Sequence, residues 1–435
     1  MRFLGRRVGA EDRPEDAEPG PEDNTQPGGM FASLQIYPAI RWLWIGTIGT
    51  NTAFWMYQVA LGWLALEMTD SPFWVGMAAF AGGIPILIFA LPAGVVNDNL
   101  DRRKVLMLGQ LGVMVSATLF SGLILFDVMD RWTMLVLAFC YGSSMAFVFP
   151  TRHAIIGRIV KPDDLANAIA LNSAGQNATR IFGPALAGVL IAFLGTGGAF
   201  AVAAGLQIFA LASSVKLPAA HPRQPGKRGP ALASVVEGLV YVRRDPTLLG
   251  TVLLATVGTV LIMPYITLMP VFVRDELGFG STGLGVLMTG IGIGAVCGAL
   301  LVAARRELTA QPGAQVLLIA TWAATVLAFA LTPWTAPAVV LLFLTGLLSA
   351  GFLATNQTML QLRAADEIRG RVLAVNQITW GLLPFGQLPL GLLADAIGAP
   401  AATSFACVAG LLLIFLIAAR IPALRRRPAP APASP

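Results

Sequence analysis

Apolar runs of about 20 residues, long enough to cross a bilayer as a helix, recur along nearly the whole chain between short polar connectors. In hydrocarbon every backbone N–H and C=O must find a partner within the protein, and a helix provides this within one segment. Barrel strands need only about 10 alternating residues, so long unbroken runs favour helices over strands. Twelve spans are predicted: 39–66, 73–96, 104–126, 132–156, 164–193, 197–215, 247–273, 281–303, 314–332, 337–362, 368–396 and 400–420. Composition agrees, since 12% of the 435 residues are charged, against about 25% in soluble domains.

Connector charge orients the spans. "NDNLDRRK", "GRIVKPDD", "KLPAAHPRQPGKRG" with Arg243 and Arg244, "ARREL", "RAADEIRGR" and the terminal "RRR" hold most of the Lys and Arg. The intervening connectors, such as "EMTDSP", "GTGG" and "AIGAP", have almost no net positive charge. Basic connectors stay cytoplasmic, so both termini are expected inside, in the inner membrane. The formal charge of +6 is therefore a topology signal, and a nucleic-acid partner is not expected.

The longest polar connector divides six spans from six. The expected organisation is a disordered cytoplasmic tail at 1–36, a first six-helix bundle at 37–215, a linker at 216–245, a second bundle at 246–420 and a disordered tail at 421–435. Within the linker, Leu232, Val235, Val236, Leu239 and Val240 share one face of an amphipathic helix suited to the cytoplasmic membrane surface. The halves echo each other: "PDDLANAIALNSAGQNATRIFGPALAGVL" parallels "ADEIRGRVLAVNQITWGLLPFGQLPLGLL". A parallel six-span repeat is the mark of a two-bundle transporter. The fold class is thus an all-α membrane protein of twelve transmembrane helices in two bundles.

Cys140, Cys297 and Cys407 lie far apart in apolar runs, and His153 and His221 have no metal-ligand spacing. No catalytic group, metal site or cofactor is expected. Nothing resembles a phosphate-binding Gly-rich loop, so nucleotide coupling is not expected either.

Polar residues inside the spans are the candidate machinery. Arg180 sits well within span five, where a charge costs at least ~2.5–3.5 kcal/mol and normally faces an interior or a watery cavity. It could hold an anionic substrate group, or serve as a fixed charge tuning a nearby acid. No unambiguous buried carboxylate accompanies it. Glu67, Asp70 and Asp395 lie at outer span ends, as interfacial acids do. Uncharged candidates for the cavity are Asn51 and Gln58 in span one, Asn172, Gln176 and Thr179 in span five, Asn356 and Gln357 in span ten, and Asn376, Gln377 and Trp380 in span eleven. Interhelical hydrogen bonding is the alternative role for each. Trp55, Tyr57, Phe147 and Phe385 are candidate apolar walls.

Between spans two and three, "GVVNDNLDRRKVL" places Asp98 four residues after Gly94 and four before Arg102, with Arg103 adjacent. This Gly-x-x-x-Asp-x-x-x-Arg-Arg spacing resembles the cytoplasmic signature of the major facilitator superfamily, with Asn99 in place of a basic residue and Asp101 in place of Gly. The resemblance implies the major facilitator fold and an interdomain latch, closed when the cytoplasmic side is closed. Arg152 and Arg158, at the inner end of span four, are candidate partners of Asp98. Gly183, Pro184 and Gly188, following Arg180, are similar to the antiporter motif of the superfamily's exporters, although Thr179 and Ala187 stand where Gly is commoner. Across all twelve spans the chain resembles the enterobactin-exporter-like and multidrug efflux branch.

That resemblance implies export of a small amphipathic drug or siderophore by a monomer, through alternating access coupled to protons as antiport. An importer or lipid flippase of the same fold, or a non-transporting sensor or scaffold, are the alternative readings.

Overall fold

Helix starts and stops follow the chemistry of the connectors. Pro38, Pro72, Pro246 and Pro312 open helices at positions whose N–H would have no intrahelical partner. Asp101, Asp130 and Asp245 cap helix N-termini by accepting backbone N–H bonds. Bonds from the Thr133 hydroxyl and the Thr133 and Trp132 amides hold the Asp130 carboxyl below the usual carboxylate range.

The computed structural model describes residues 32–161, 164–219, 231–304, 311–365 and 368–425. Most of the expected terminal tails, residues 220–230 of the linker, and Arg305 and Arg306 lie outside the described residues.

The main helices are α1 (Pro38–Thr69), α2 (Pro72–Asn99), α3 (Arg102–Leu125), α4 (Arg131–Ile159), α5 (Leu165–Val215), α6 (Ala231–Arg244) and α7 (Pro246–Glu276). They continue as α8 (Ser281–Ala304), α9 (Pro312–Ala330), α10 (Thr335–Arg363), α11 (Arg369–Gly381), α12 (Leu383–Ile397) and α13 (Ala399–Arg420). Among the described residues, nine helices are long and apolar enough to cross a membrane. That count takes α5 once, although its 51 residues would extend about 75 Å if straight. Gly195, at φ 70°, breaks it into two arms, a conformation that a Cβ disfavours.

Residues 32–36, expected in the tail, form a helical turn tied to α5. There the Ser33 hydroxyl donates to Asn167 Oδ1 at 2.6 Å, and nearby Tyr37 donates to Asp164 at 2.7 Å.

Packing falls into two sets. α1, α3 and α5 associate with one another and α2 packs on α4; α8 and α9 pack on α10, and α13 covers α9 and α12. The first set has an aromatic centre in which Tyr57 stacks on Tyr141 at 3.5 Å and meets the stacked pair Phe120 and Phe200 edge-on. Tyr57, expected as a cavity wall, is therefore core.

The two sets join mainly through α2 against α12 and α5 against α8. Both seams rest on paired glycines. A Cβ on Gly76 would lie 2.8 Å from the Gln387 carbonyl and 3.0 Å from Gly391 Cα. A Cβ on Gly188 would lie 2.6 Å from the Ser281 carbonyl and 2.7 Å from Gly285 Cα. Small residues let the backbones meet, which is how helices associate where water offers no hydrophobic drive.

Each seam lies toward the end away from the arginine-rich connectors. At that end Arg274 pairs with Asp70 at 2.5 Å, and the Ser71 hydroxyl donates to Asp395 at 2.6 Å. At the arginine-rich end, Gly94, Gly157 and Gly370 have no atom within 4 Å of an added Cβ.

Gly76→Val and Gly188→Val each drive methyls into a facing backbone. Each is expected to cost about 1–3 kcal/mol, read as a lower apparent Tm of the purified protein. Gly94→Val, at an open position, is expected to leave Tm unchanged. Equal Tm for all three would mean that the glycine seams are not contacts.

Candidate functional site

A central site forms where the two helix sets leave space between the seams. α7 enters it irregularly. Pro264 and Pro270 remove two backbone donors, and the helix passes through a π turn (Gly258–Ile262), a 3₁₀ turn (Met263–Leu268) and a second π turn (Phe272–Glu276). The sequence predicts one span over 247–273, and Pro264 and Pro270, six residues apart, mark where it departs from a regular helix.

Irregular backbone is tolerated at membrane depth where it lines a cavity. Met263, Tyr265 and Ile266 of the 3₁₀ turn do so, facing Trp55, Arg180 and Pro184 across a narrow recess. Trp322 and Leu353 complete its far side. Met263, Tyr265 and Trp322 are additions to the residues picked from sequence.

Arg180 is the one formal charge on this lining. Its guanidinium carbon stands 5.2 Å from the centre of the Trp55 ring, a cation–π contact. Among the described residues it has no ion pair, and no Asp or Glu lines the recess. The neighbouring α5 residues serve packing: a Cβ on Gly183 would lie 2.6 Å from Trp55 Cβ, and Gly292 of α8 sits beneath the Arg180 carbonyl. Small residues thus bring α5 close to α1 and α8 and hold Arg180 at the seam.

A second recess of about 100 Å³ lies beside the first, sharing Leu353. Asn356, Gln357, Asn376, Thr379 and Trp380 line it. Asn356 donates to the Thr251 carbonyl at 2.9 Å, while Asn376 reaches Gln357 only at 3.5 Å. Asn376 Oδ1 is buried with no partner among the described residues.

The other sequence candidates lie elsewhere. Asn51 is buried and turned back onto its own helix, donating to the Thr47 carbonyl at 2.9 Å. Gln58 and Gln377 are exposed. Gln176 is half-buried, and its carbonyl accepts from Thr179. None of these four lines either recess. Phe385 instead meets Phe80 edge-on across the α2–α12 seam, and Phe147 lies beside Phe89. Hydropathy places such residues at membrane depth, but not on one side of a helix.

The Gly94–Arg103 stretch divides in two. Arg102 donates to the Ala154 carbonyl at 3.1 Å, and Arg103 donates to the Val215 carbonyl, tying α3 to α4 and α5. Asp101 is the N-cap of α3, accepting from the Arg103 amide, and Asn99 donates to the Val95 carbonyl. Both departures from the signature thus have local hydrogen-bonding roles. Asp98 projects outward, 64% exposed, and lies 3.9 Å from Arg102.

Arg152 does not reach Asp98. Its side chain is buried, donating to the Gly46 carbonyl at 3.2 Å and Thr50 Oγ1 at 2.9 Å. Arg158 is exposed. Arg152 was expected near the inner surface, but the turn of α4 carries it into the first helix set.

At the opposite end, Arg274 bridges Asp70 and Asp275 and also donates to the Leu66 carbonyl. The pair is largely solvent-facing and worth about 0–1 kcal/mol. Arg274→Gln is expected to leave Tm nearly unchanged while speeding maleimide labelling of a cysteine placed at Ser71. An unchanged labelling rate would show that Arg274 does not hold this end shut.

Comparison with known proteins agrees with this architecture. The multidrug efflux pump Tap of Mycolicibacterium fortuitum is 29% identical over 84% of this chain and 91% of its own length. The enterobactin exporter EntS of Shigella boydii is 25% identical over 78% of this chain and 81% of its own. The crystal structure of a bacterial homologue of the human lysosomal transporter Spinster, inward-facing and unoccupied, covers 90% of this chain and 99% of that one, at TM-score 0.67 and 16% identity. Residues 29–431 match the family described as transmembrane secretion effector, and the chain belongs to that family of major facilitator efflux transporters.

Proposed function

We propose that this protein exports a small amphipathic compound, a drug or a siderophore, across the inner membrane by alternating access with proton antiport. The observation carrying this reading is the asymmetry of closure. The helix sets are joined by glycine seams and by Asp70–Arg274 and Ser71–Asp395 at one end, and Gly76, Gly188 and their partners leave no space there. At the arginine-rich end Asp98 is exposed, with no bond to the second set among the described residues. With basic connectors inside, this is an inward-open state with the latch released, ready to take substrate from the cytoplasm. The relatives named for drug efflux and enterobactin export support the outward direction.

Twelve spans follow if α5 counts as two across Gly195, α11 and α12 together form one, and α1 crosses despite its polar residues. The proposed units are residues 37–215 and 246–420, working as a monomer. Between them α6 packs Gly238 against Arg371 and pairs Glu237 with Arg371, leaving Val236, Leu239 and Val240 exposed toward the lipid surface.

Gly94, Asp98, Arg102, Arg103 and the exposed Arg158 are the proposed latch. Arg152 is assigned to holding α4 on α1 instead. Pro184 and Gly188 form the antiporter-like surface against α8, and Gly183 of the same motif seats α5 on Trp55 of α1.

Inside-out vesicles with an acidic interior, tested against a panel of toxic compounds and siderophores, are expected to accumulate the substrate and to stop on adding a protonophore. Accumulation only in right-side-out vesicles would make the protein an importer. Transport in neither orientation would remove the transporter reading. Asp98→Asn is expected to slow transport about tenfold, or about 1.4 kcal/mol, with normal membrane insertion. Wild-type kinetics in that variant would leave Asp98 a topological role only.

A further inference from the structure

We infer that the substrate is an organic anion whose acidic group binds Arg180, with its aromatic or apolar body against Trp55, Met263 and Ile266. This inference rests on the export reading and names its substrate class. A guanidinium at membrane depth normally pairs with a carboxylate or a backbone carbonyl. Arg180 has neither an ion pair nor a hydrogen bond among the described residues. Its recognised contact is with the face of Trp55 at 5.2 Å. A cation–π contact at that distance uses none of the guanidinium N–H donors, which leaves them for a planar anion.

Among the described residues no acid lines either recess, so a lipophilic cation would meet repulsion from Arg180 with no countercharge. A neutral apolar compound would cover the guanidinium without satisfying its donors, at a desolvation cost. A carboxylate, sulfonate or ionised catechol satisfies both requirements. This also separates the two roles open to Arg180 from sequence: no lining acid is present for it to tune. Beyond Leu353 the second recess presents the exposed Gln357. An amide or hydroxyl at the far end of the same molecule would donate to the Gln357 side-chain oxygen. The preferred ligand is thus an elongated amphipath with an anion at one end and a hydrogen-bond donor at the other.

The test uses three probes with one aryl body and different charge, 1-naphthaleneacetate, 1-naphthaleneacetamide and 1-naphthylmethylammonium. Binding is measured by calorimetry on the full chain in lipid nanodiscs. Wild-type protein is expected to favour the acetate over the acetamide by at least about tenfold, the value of a charge-assisted hydrogen bond, and to bind the ammonium most weakly. Arg180→Gln is expected to bring the acetate-to-acetamide ratio to about one, with acetamide binding retained. Arg180→Lys, keeping the charge without the planar fork, is expected to keep a reduced preference.

Absence of anion preference in wild type, including no binding of any probe, would overturn the inference. So would an Arg180→Gln protein that folds and keeps the preference. Uptake into inside-out vesicles, measured above vesicles lacking the protein, separates this from the export reading. Anion-selective binding without uptake supports the Arg180 site and removes export; equal uptake of all three probes keeps export and overturns the Arg180 site.

Discussion

Close approach of backbones at two glycine seams is the constraint on which the rest of the arrangement depends. Gly76 against Gly391 and Gly188 against Gly285 bring α2 onto α12 and α5 onto α8 with no side chain between them. In a bilayer, apolar side chains gain little by leaving lipid for a neighbouring helix, so association rests on packing and on polar contacts. Both seams lie toward one end of the helix sets. The central recesses occupy the space between them.

Charge is distributed in accord with that geometry. Among the described residues the ion pair between the sets, Asp70–Arg274, is partly solvent-exposed and weak, which suits an end that has to open. The arginines flanking Asp98 are instead held within the first set, on the Ala154 and Val215 carbonyls. Arg180 differs from both groups. It is held at membrane depth by helix packing and by Trp55, with its hydrogen-bonding edge left without a protein partner among the described residues.

The irregular α7 and the regular helices around it show how a cavity is obtained without exposing backbone to lipid. Pro264 and Pro270 break the i→i−4 pattern, and the displaced turns contribute Met263, Tyr265 and Ile266 to the recess. A strictly regular α7 would present different side chains there. Tyr57, Asn51 and Gln377 show the converse case. Each has suitable chemistry at suitable depth, yet rotation of its helix puts it in the core, on its own backbone or on the exposed surface.

What the chain by itself determined is that long apolar helices make up the described residues, where several of them start, and the end at which the arginines collect, because apolar length, prolines, capping aspartates and arginines act locally. Arg180 was legible for the same reason, since a charge inside an apolar run is costly wherever the helix packs. Asn356, Asn376 and Trp380 were legible as polar or amphipathic residues at membrane depth. Only the tertiary structure decided that these three share a recess while Gln377 faces away. It likewise placed Trp55 over Arg180, took Arg152 away from Asp98, and closed the molecule at one end. Those outcomes depend on the rotation and crossing of helices far apart in sequence, and side-chain packing at the glycine seams sets them, not hydropathy along any one helix.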